Sequence, residues 1–257
     1  MNATSGPTVV KIGGSTLGAE DSTLADVVAL QRAHRRPVIV HGGGALINDW
    51  LDRLDVASEF VDGLRSTSTE ALEVVVAVLR GLINTQLVAQ IGALGGRAVG
   101  LSGVDGAAVL AERYDTRLGF VGRVTGVDTE LLTALLEAGA IPVIAPIGLE
   151  PPDQPLNINA DTVAGEVARA LCAERLIFLT DVDGVLDAEG RLLPTINTTR
   201  AAALRTDGTL SGGMIPKVDA CFRAAETGAV AYMANGRAPG TLRRIAGGEP
   251  LGTRIGG

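Results

Sequence analysis

The stretch RPVIVHGGGALINDWLDRL, residues 36–54, decides the fold. Its apolar run Val38-Ile39-Val40 has the continuous, β-branched composition of a strand covered by helices on both faces. Three glycines, Gly42-Gly43-Gly44, end the run, and ALINDWLDRL (45–54) continues as a helix. Strand, glycine turn and helix make half of a βαβ unit, and the same alternation extends in both directions. TVVKI (8–12) runs into Gly13-Gly14-Ser15, and a helix follows over 21–34 with Asp21 or Ser22 as its cap. FVDGLR (60–65) is a short strand or a hairpin arm, RAVGLSG (97–103) a strand, and 107–125 a hairpin around FVGRVTGV. A helix over 128–138 leads to the strand IPVIAPIG (141–148), which stops at Pro151-Pro152. LNIN (156–159) precedes a helix over 160–171, and RLIFLTDVDGVL (175–186) is a strand broken by an acidic glycine turn. Helices over 198–205 and 214–227, joined by a Gly-rich loop, and strands over 229–233 and 252–255 complete the chain. The expectation is an α/β fold: a three-layer α/β/α sandwich around a mostly parallel sheet. It forms one domain, 1–257, with an N-lobe to about 172 and a C-lobe from about 173.

Composition bounds what such a fold can do. With 46% hydrophobic residues in 257, the chain can build a real core. Its net charge of −7 argues against a nucleic-acid surface or a basic membrane patch and favours a small-molecule ligand held locally. The start, MNATSGP, lacks a basic, apolar secretory leader, and no stretch approaches 18 consecutive apolar residues, so the chain reads as cytoplasmic. Cys172 and Cys221 lie in apolar helical patterns and read as small buried hydrophobes. The helix over 69–91, with Thr69 as cap and Glu70 in its first turn, is apolar almost all round. Such a helix needs cover on every side, from a core or from a second subunit, and we expect a subunit interface.

Glycine is over-represented at 34 residues, nearly twice the roughly 7% of an average protein. The bases are skewed as well: twenty are Arg and two are Lys, Lys11 and Lys217. Both lysines neighbour glycines, in KIGGS and SGGMIPK. A compact ammonium does what a planar guanidinium cannot, although two leftover surface lysines would read alike. Glycine loops after parallel strands let backbone N–H groups approach phosphate oxygens. Neither G-x-x-x-x-G-K-[ST] nor a strand-linked G-x-G-x-x-G is present, which argues against P-loop and ordinary dinucleotide-binding proteins. His34 ends a helix and reads as solvated; His41 could order the triple-glycine loop through a backbone hydrogen bond. Asp161 opens a helix, where it is either a cap or first-turn acid, or a carboxylate that fixes nearby ammonium groups. Arg65 is either a surface charge or a bidentate carboxylate clamp. Two ammonium groups, amide-lined loops and one organising acid suit phosphoryl transfer, which asks for positioning and charge neutralisation. A carboxylate acceptor has no proton to lose, so the lack of a candidate base fits acyl-phosphate chemistry.

KIGGS, VIVHGGG, GLRST, Asn157-x-Asn159-Ala160-Asp161, LTDVDGVL, GGMIPK and GTRI, in this order over residues 8–255, resemble the amino acid kinase family. The resemblance is strongest to its branch that phosphorylates the side-chain carboxylate of N-acetyl-L-glutamate with ATP and Mg²⁺. It implies that Lys11 and Lys217 stabilise the migrating phosphoryl group and that Asp161 holds both lysines. Gly43 and Gly44 would offer N–H groups to the reacting carboxylate and the phosphoryl group, Arg65 would bind the other carboxylate, and Asn157 the acetamido group. Nucleotide would lie against Gly13, Asp181, Gly184, Leu186, Leu210, Ser211 and Gly213. Mg²⁺ would be held by phosphates and water, so no protein metal ligand is expected. Departures from the family pattern are Ser66 after Arg65 and no histidine after Pro239. AVGLSGVDG also resembles sister kinases acting on a 2-aminoadipate derivative, which remain an alternative, as does a silent nucleotide-binding regulator. Strand one starting at Thr8 leaves no room for the N-terminal helix of arginine-inhibited members, and the expectation is an arginine-insensitive homodimer.

Overall fold

The computed structural model describes residues 6–13, 22–61 and 63–256. Among them, an eight-stranded sheet has the order β12-β14-β13-β11-β1-β2-β8-β5. Its strands are β1 (Thr8–Ile12), β2 (Pro37–His41), β5 (Ala98–Ser102), β8 (Ile141–Ala145), β11 (Arg175–Thr180), β12 (Thr195–Ile196), β13 (Val230–Asn235) and β14 (Thr253–Ile255). All neighbours pair in parallel except β13 and β14. A four-stranded sheet, β10-β9-β6-β7, joins β6 (Val109–Arg113), β7 (Gly122–Val127), β9 (Ile147–Glu150) and β10 (Gln154–Asn157). β3 (Phe60–Val61) and β4 (Leu64–Arg65) pair antiparallel as a short hairpin, one of the two forms expected for this stretch.

Alternation along the parallel strands divides the core in two. Val9, Val38, Val40, Leu176 and Phe178 face one layer, which holds α5 (Glu130–Glu137), α6 (Ala160–Ala170), α7 (Thr198–Thr206) and α8 (Met214–Ala225). Val10, Ile12, Ile39, Ile177 and Leu179 face the other, with α1 (Thr23–Arg32), α2 (Gly44–Arg53), α3 (Thr69–Val76), α4 (Thr85–Ala93) and α9 (Thr241–Ala246). The three layers are those expected. Because β11 lies beside β1, the main sheet runs unbroken from the first half of the chain into the second.

Several local expectations change. α3 and α4 are the ends of one 25-residue helix, Thr69–Ala93, whose middle, Ala77–Asn84, is π-helical. Its cap is Ser68, whose Oγ accepts from the Ala71 N–H at 3.2 Å; Thr69 is already helical. The helix is long and apolar enough to cross a membrane by length and composition, yet Val75, Leu79, Leu87 and Ile91 are packed into the core. Burial is not all round, since Leu82 is 43% exposed. The run 141–148 breaks at Pro146: β8 stays in the main sheet and β9 enters the smaller one, while the Pro146 carbonyl accepts from Ile158 N–H. The peptide between Pro151 and Pro152 is cis, in the turn from β9 to β10. β10, β12 and α9 were not foreseen. Cys221 is buried as expected, but Cys172 is exposed, because it sits in a left-handed turn (φ 47°) just beyond α6. Gly14-Ser15 and the alternative cap Asp21 lie outside the described residues.

Candidate active site

The central juxtaposition joins residues far apart in sequence. Lys11 lies on β1, and the two-residue period turns it to the same side as Val9, towards α6 and α8. Asn159 caps α6, its Oδ1 accepting from the N–H groups of Asp161 and Thr162. That leaves the Asp161 side chain, in the first helical turn, free to face the sheet. Lys217 lies in the first turn of α8, directly after Pro216, a residue that the start of a helix tolerates. Lys11 Nζ comes within 2.7 Å of Asp161 Oδ1, and Lys217 Nζ within 2.8 Å of Asp161 Oδ2. Each oxygen of one carboxylate therefore holds one ammonium group. Burial alone would push the Asp161 carboxyl up, but the two ammonium charges and their hydrogen bonds outweigh it and hold the group below its ordinary value.

Lys11 and Asp161 line a cleft of about 180 Å³ with Gly42, Gly43, Gly44, Arg65 and Asn157. It opens at the carboxyl ends of β1 and β2, where open parallel sheets hold their ligands. The volume is below the several hundred cubic ångströms typical of drug-sized ligands, so it suits a small acid rather than a nucleotide. Gly43 packs against the long helix: a Cβ there would come 2.5 Å from Ile83 Cδ1 and 2.7 Å from Leu79 Cδ2. At the far end, Arg65 is buried on β4 and stacks 4.5 Å over the Phe60 ring. Its guanidinium donates to Ser58 Oγ (2.9 Å) and Asn48 Oδ1 (2.5 Å), both neutral acceptors, so its positive charge stays available to an anion. Asn157 Nδ2 donates to Thr67 Oγ1, whose own hydroxyl donates to the Arg65 carbonyl.

Gly184, Leu186 and Leu210 line a second cavity of about 500 Å³, large enough for a nucleoside, together with Asp187, Asp207 and Met214. Asp181, Ser211 and Gly213 adjoin its walls in sequence without lining it, and Gly13, at the end of β1, lines neither cavity. Lys217 links the two spaces: besides meeting Asp161, its Nζ donates to the Gly213 carbonyl, next to Met214. Asn48, Ser58 and Phe60 escaped the reading of the sequence. Only Asn48 carries a signal there, one helical turn beyond Gly44 and hence on its side of α2.

The sequence profile of the amino acid kinase family matches residues 6–235. An acetylglutamate kinase of Dehalococcoides mccartyi is 42% identical over 253 residues, covering 96% of this chain and 93% of that protein. The acetylglutamate kinase of Synechococcus elongatus is 45% identical over 242 residues, covering 91% of this chain and 80% of its own. Among solved structures, smu.665 from Streptococcus mutans superposes with a TM-score of 0.85 at 30% identity, covering 97% of this chain and 98% of that one.

Proposed function

The chain belongs to the amino acid kinase family, and we propose that it transfers the γ-phosphoryl group of ATP to the side-chain carboxylate of N-acetyl-L-glutamate, forming N-acetyl-L-glutamyl 5-phosphate and ADP in arginine biosynthesis. The observation that carries this reading is the grip of Asp161 on Lys11 and Lys217 at 2.7 and 2.8 Å, between a small anion-sized cleft and a nucleoside-sized cavity. An acceptor oxygen attacks the γ-phosphorus while the bond to the β-phosphate oxygen breaks. The charge spread over the migrating group is met by the two ammonium groups, which Asp161 keeps in place without solvent reorganisation. Gly43 and Gly44 supply N–H groups to the acceptor and the phosphoryl group, Arg65 pairs with the α-carboxylate, and Asn157 bonds the acetamido group. In this reading the chain up to about residue 172 binds the acceptor and the remainder binds nucleotide, with Gly13 of the first part joining Asp181, Ser211 and Gly213 in holding the nucleotide.

Mg²⁺ would neutralise charge on the nucleotide phosphates. The described acids do not gather into a group of three or more that could hold a metal, and both Asp161 oxygens already face ammonium groups. Phosphate oxygens and water would therefore be the ligands of the cation. Use of ATP as donor is consistent with a place in the cytoplasm. The mostly apolar groove between α2 and the long helix, with Leu54 and Leu82 exposed, supports a homodimer.

An ADP-release assay with hydroxylamine trapping tests the reading. N-acetyl-L-glutamate should yield hydroxamate with a kcat/KM at least about tenfold above that of an N-acylated 2-aminoadipate, the margin one well-fitted methylene provides. The opposite preference would assign the sister activity, and ATP binding without any trapped acyl phosphate would assign a silent regulator.

A further inference from the structure

We propose that Asn84 is a positioning residue: from the π-helical turn it fixes the tautomer of His41, and through that ring the orientation of the Gly42–Gly44 loop. The proposal rests on the reading of that loop as the binder of the reacting groups.

The hydrogen bonds determine where every proton lies. Asn84 is fully buried, and its Nδ2 donates to the Val143 carbonyl at 2.8 Å. A carbonyl oxygen only accepts, so that contact identifies the amide nitrogen. Asn84 Oδ1, at the other corner, accepts from Arg80 at 3.3 Å, which agrees. The same Nδ2 meets His41 Nε2 at 3.1 Å, so this ring nitrogen carries the lone pair. His41 then bears its proton on Nδ1, 3.1 Å from the Gly42 carbonyl, which again can only accept. Both ends of the ring demand one tautomer. Burial, opposed only in part by the Gly42 hydrogen bond, lowers the imidazole pKa to about 4 and keeps it neutral, with Arg80 and Lys11 adding to the effect.

The π turn explains why one helix can do this. Leu79 and Ile83 pack on Gly43, and Asn84 follows Leu79 by five positions. An i→i+4 turn would carry position 84 to one side, whereas i→i+5 geometry brings it round to the face of Leu79. One turn thus presses Gly43 from above and holds the Gly42 carbonyl through the ring. The Gly42 N–H is tied separately to the Ile12 carbonyl at 3.0 Å. With both polar groups of Gly42 committed, the N–H groups of Gly43 and Gly44 have a fixed aim.

His34 and His41 are the two histidines of the chain, so long-range ¹H–¹⁵N spectra of the imidazoles resolve each ring. The wild-type spectrum should show His41 protonated at Nδ1; a ring protonated at Nε2 overturns the proposal without any variant. Asn84→Asp offers Nε2 an acceptor and should move the proton there, shift the Gly42–Gly44 amide resonances, and lower kcat about tenfold or more with both KM values within about threefold. A switched ring with wild-type kcat overturns the positioning role. Asn84→Ala, which adds no charge, carries the kinetic arm if the Asp variant does not fold, and an unchanged kcat there overturns it equally. A wild-type enzyme that forms no acyl phosphate would sink the proposed reaction, while the ring and amide spectra would still decide whether Asn84 sets the loop.

Discussion

Asp161 is nearly inaccessible and yet ionised, because each of its oxygens faces an ammonium group at under 3 Å. Removing either lysine does two things: it takes away charge that the migrating phosphoryl group needs and frees the carboxylate to repel that group. Lys11→Ala and Lys217→Ala should each lower kcat by about a hundredfold or more, measured by ADP release. Arg65 lies at the opposite end of the cleft, away from the chemistry, so Arg65→Ala should mainly raise the KM for the acyl acceptor. The reverse pattern would dismantle the assignment of roles. His41 has a different consequence, read in stability. Its pKa falls from 6.5 to about 4 on folding, first through burial, so between these values the unfolded chain binds a proton that the native ring refuses. Stability is complete above pH 6.5 and drains as pH falls towards 4, with a loss of about 2 kcal/mol between pH 7 and pH 5. Asp161, with a depressed carboxyl pKa, contributes its own loss only below its unfolded value of 3.8, so the two windows separate. Urea titrations at both pH values should show the loss in the wild type and a smaller one in His41→Asn.

At the scale of elements, the two helices that carry Asp161 and Lys217 are packed more closely than ordinary side chains permit. A Cβ on Gly165 of α6 would stand 2.8 Å from the Cα, Cβ and carbonyl oxygen of Ala220 on α8. Buried Glu166 adds polar clamps beside this contact, accepting from Arg169 at 2.9 Å and from Arg223 of α8 at 3.0 Å. Gly165→Val should therefore cost about 1–3 kcal/mol of stability and, by moving α8, lower kcat more than it raises KM. A variant with reduced stability but wild-type kcat would mean that Lys217 does not depend on this spacing. Arg65 is one of twenty arginines and owes its role to the resemblance, but the two lysines, Asp161 and the glycine loop were legible as candidates in the sequence because each is chemically conspicuous: a lysine in an arginine-rich chain, an acid at a helix start, three glycines after a strand. Their supports were not. Asn84 and Asn48 look like ordinary polar interruptions of helices, and a π turn leaves no mark in an apolar pattern read at 3.6 residues per turn. The run 141–148 looks continuous in the sequence because apolar content says nothing about which sheet a run pairs with after Pro146. The cap shifted from Thr69 to Ser68 because both residues can cap, and only the extended backbone at Ser68 (ψ 177°) separates them.

For the whole molecule, the long helix sets the argument. One side of it packs against the sheet through Val75, Leu79, Leu87 and Ile91, while Ala77, Gly81 and Leu82 on the other side face outward. Trp50, Leu54, Val74, Ala77, Val78 and Leu82, with the single acid Glu73, line a mostly apolar groove along α2 and this helix, with Leu54 54% and Leu82 43% exposed. Contiguous apolar surface of this kind marks an association site more often than a solvated face. A second copy docking the same groove about a two-fold axis would bury each Leu82 against its counterpart helix, and a glutamate there would place a desolvated charge in the contact. Sedimentation should find the wild type dimeric at micromolar concentration and Leu82→Glu shifted towards monomer, with the near-ultraviolet signature of Trp50 changed. The catalytic consequence follows from the fold, because the buried side of that helix carries Leu79, Ile83 and Asn84, which fix the glycine loop. If dimerisation braces the helix, the monomeric variant should lose kcat as well; full activity in a verified monomer would separate assembly from catalysis, and a monomeric wild type would remove the dimer altogether.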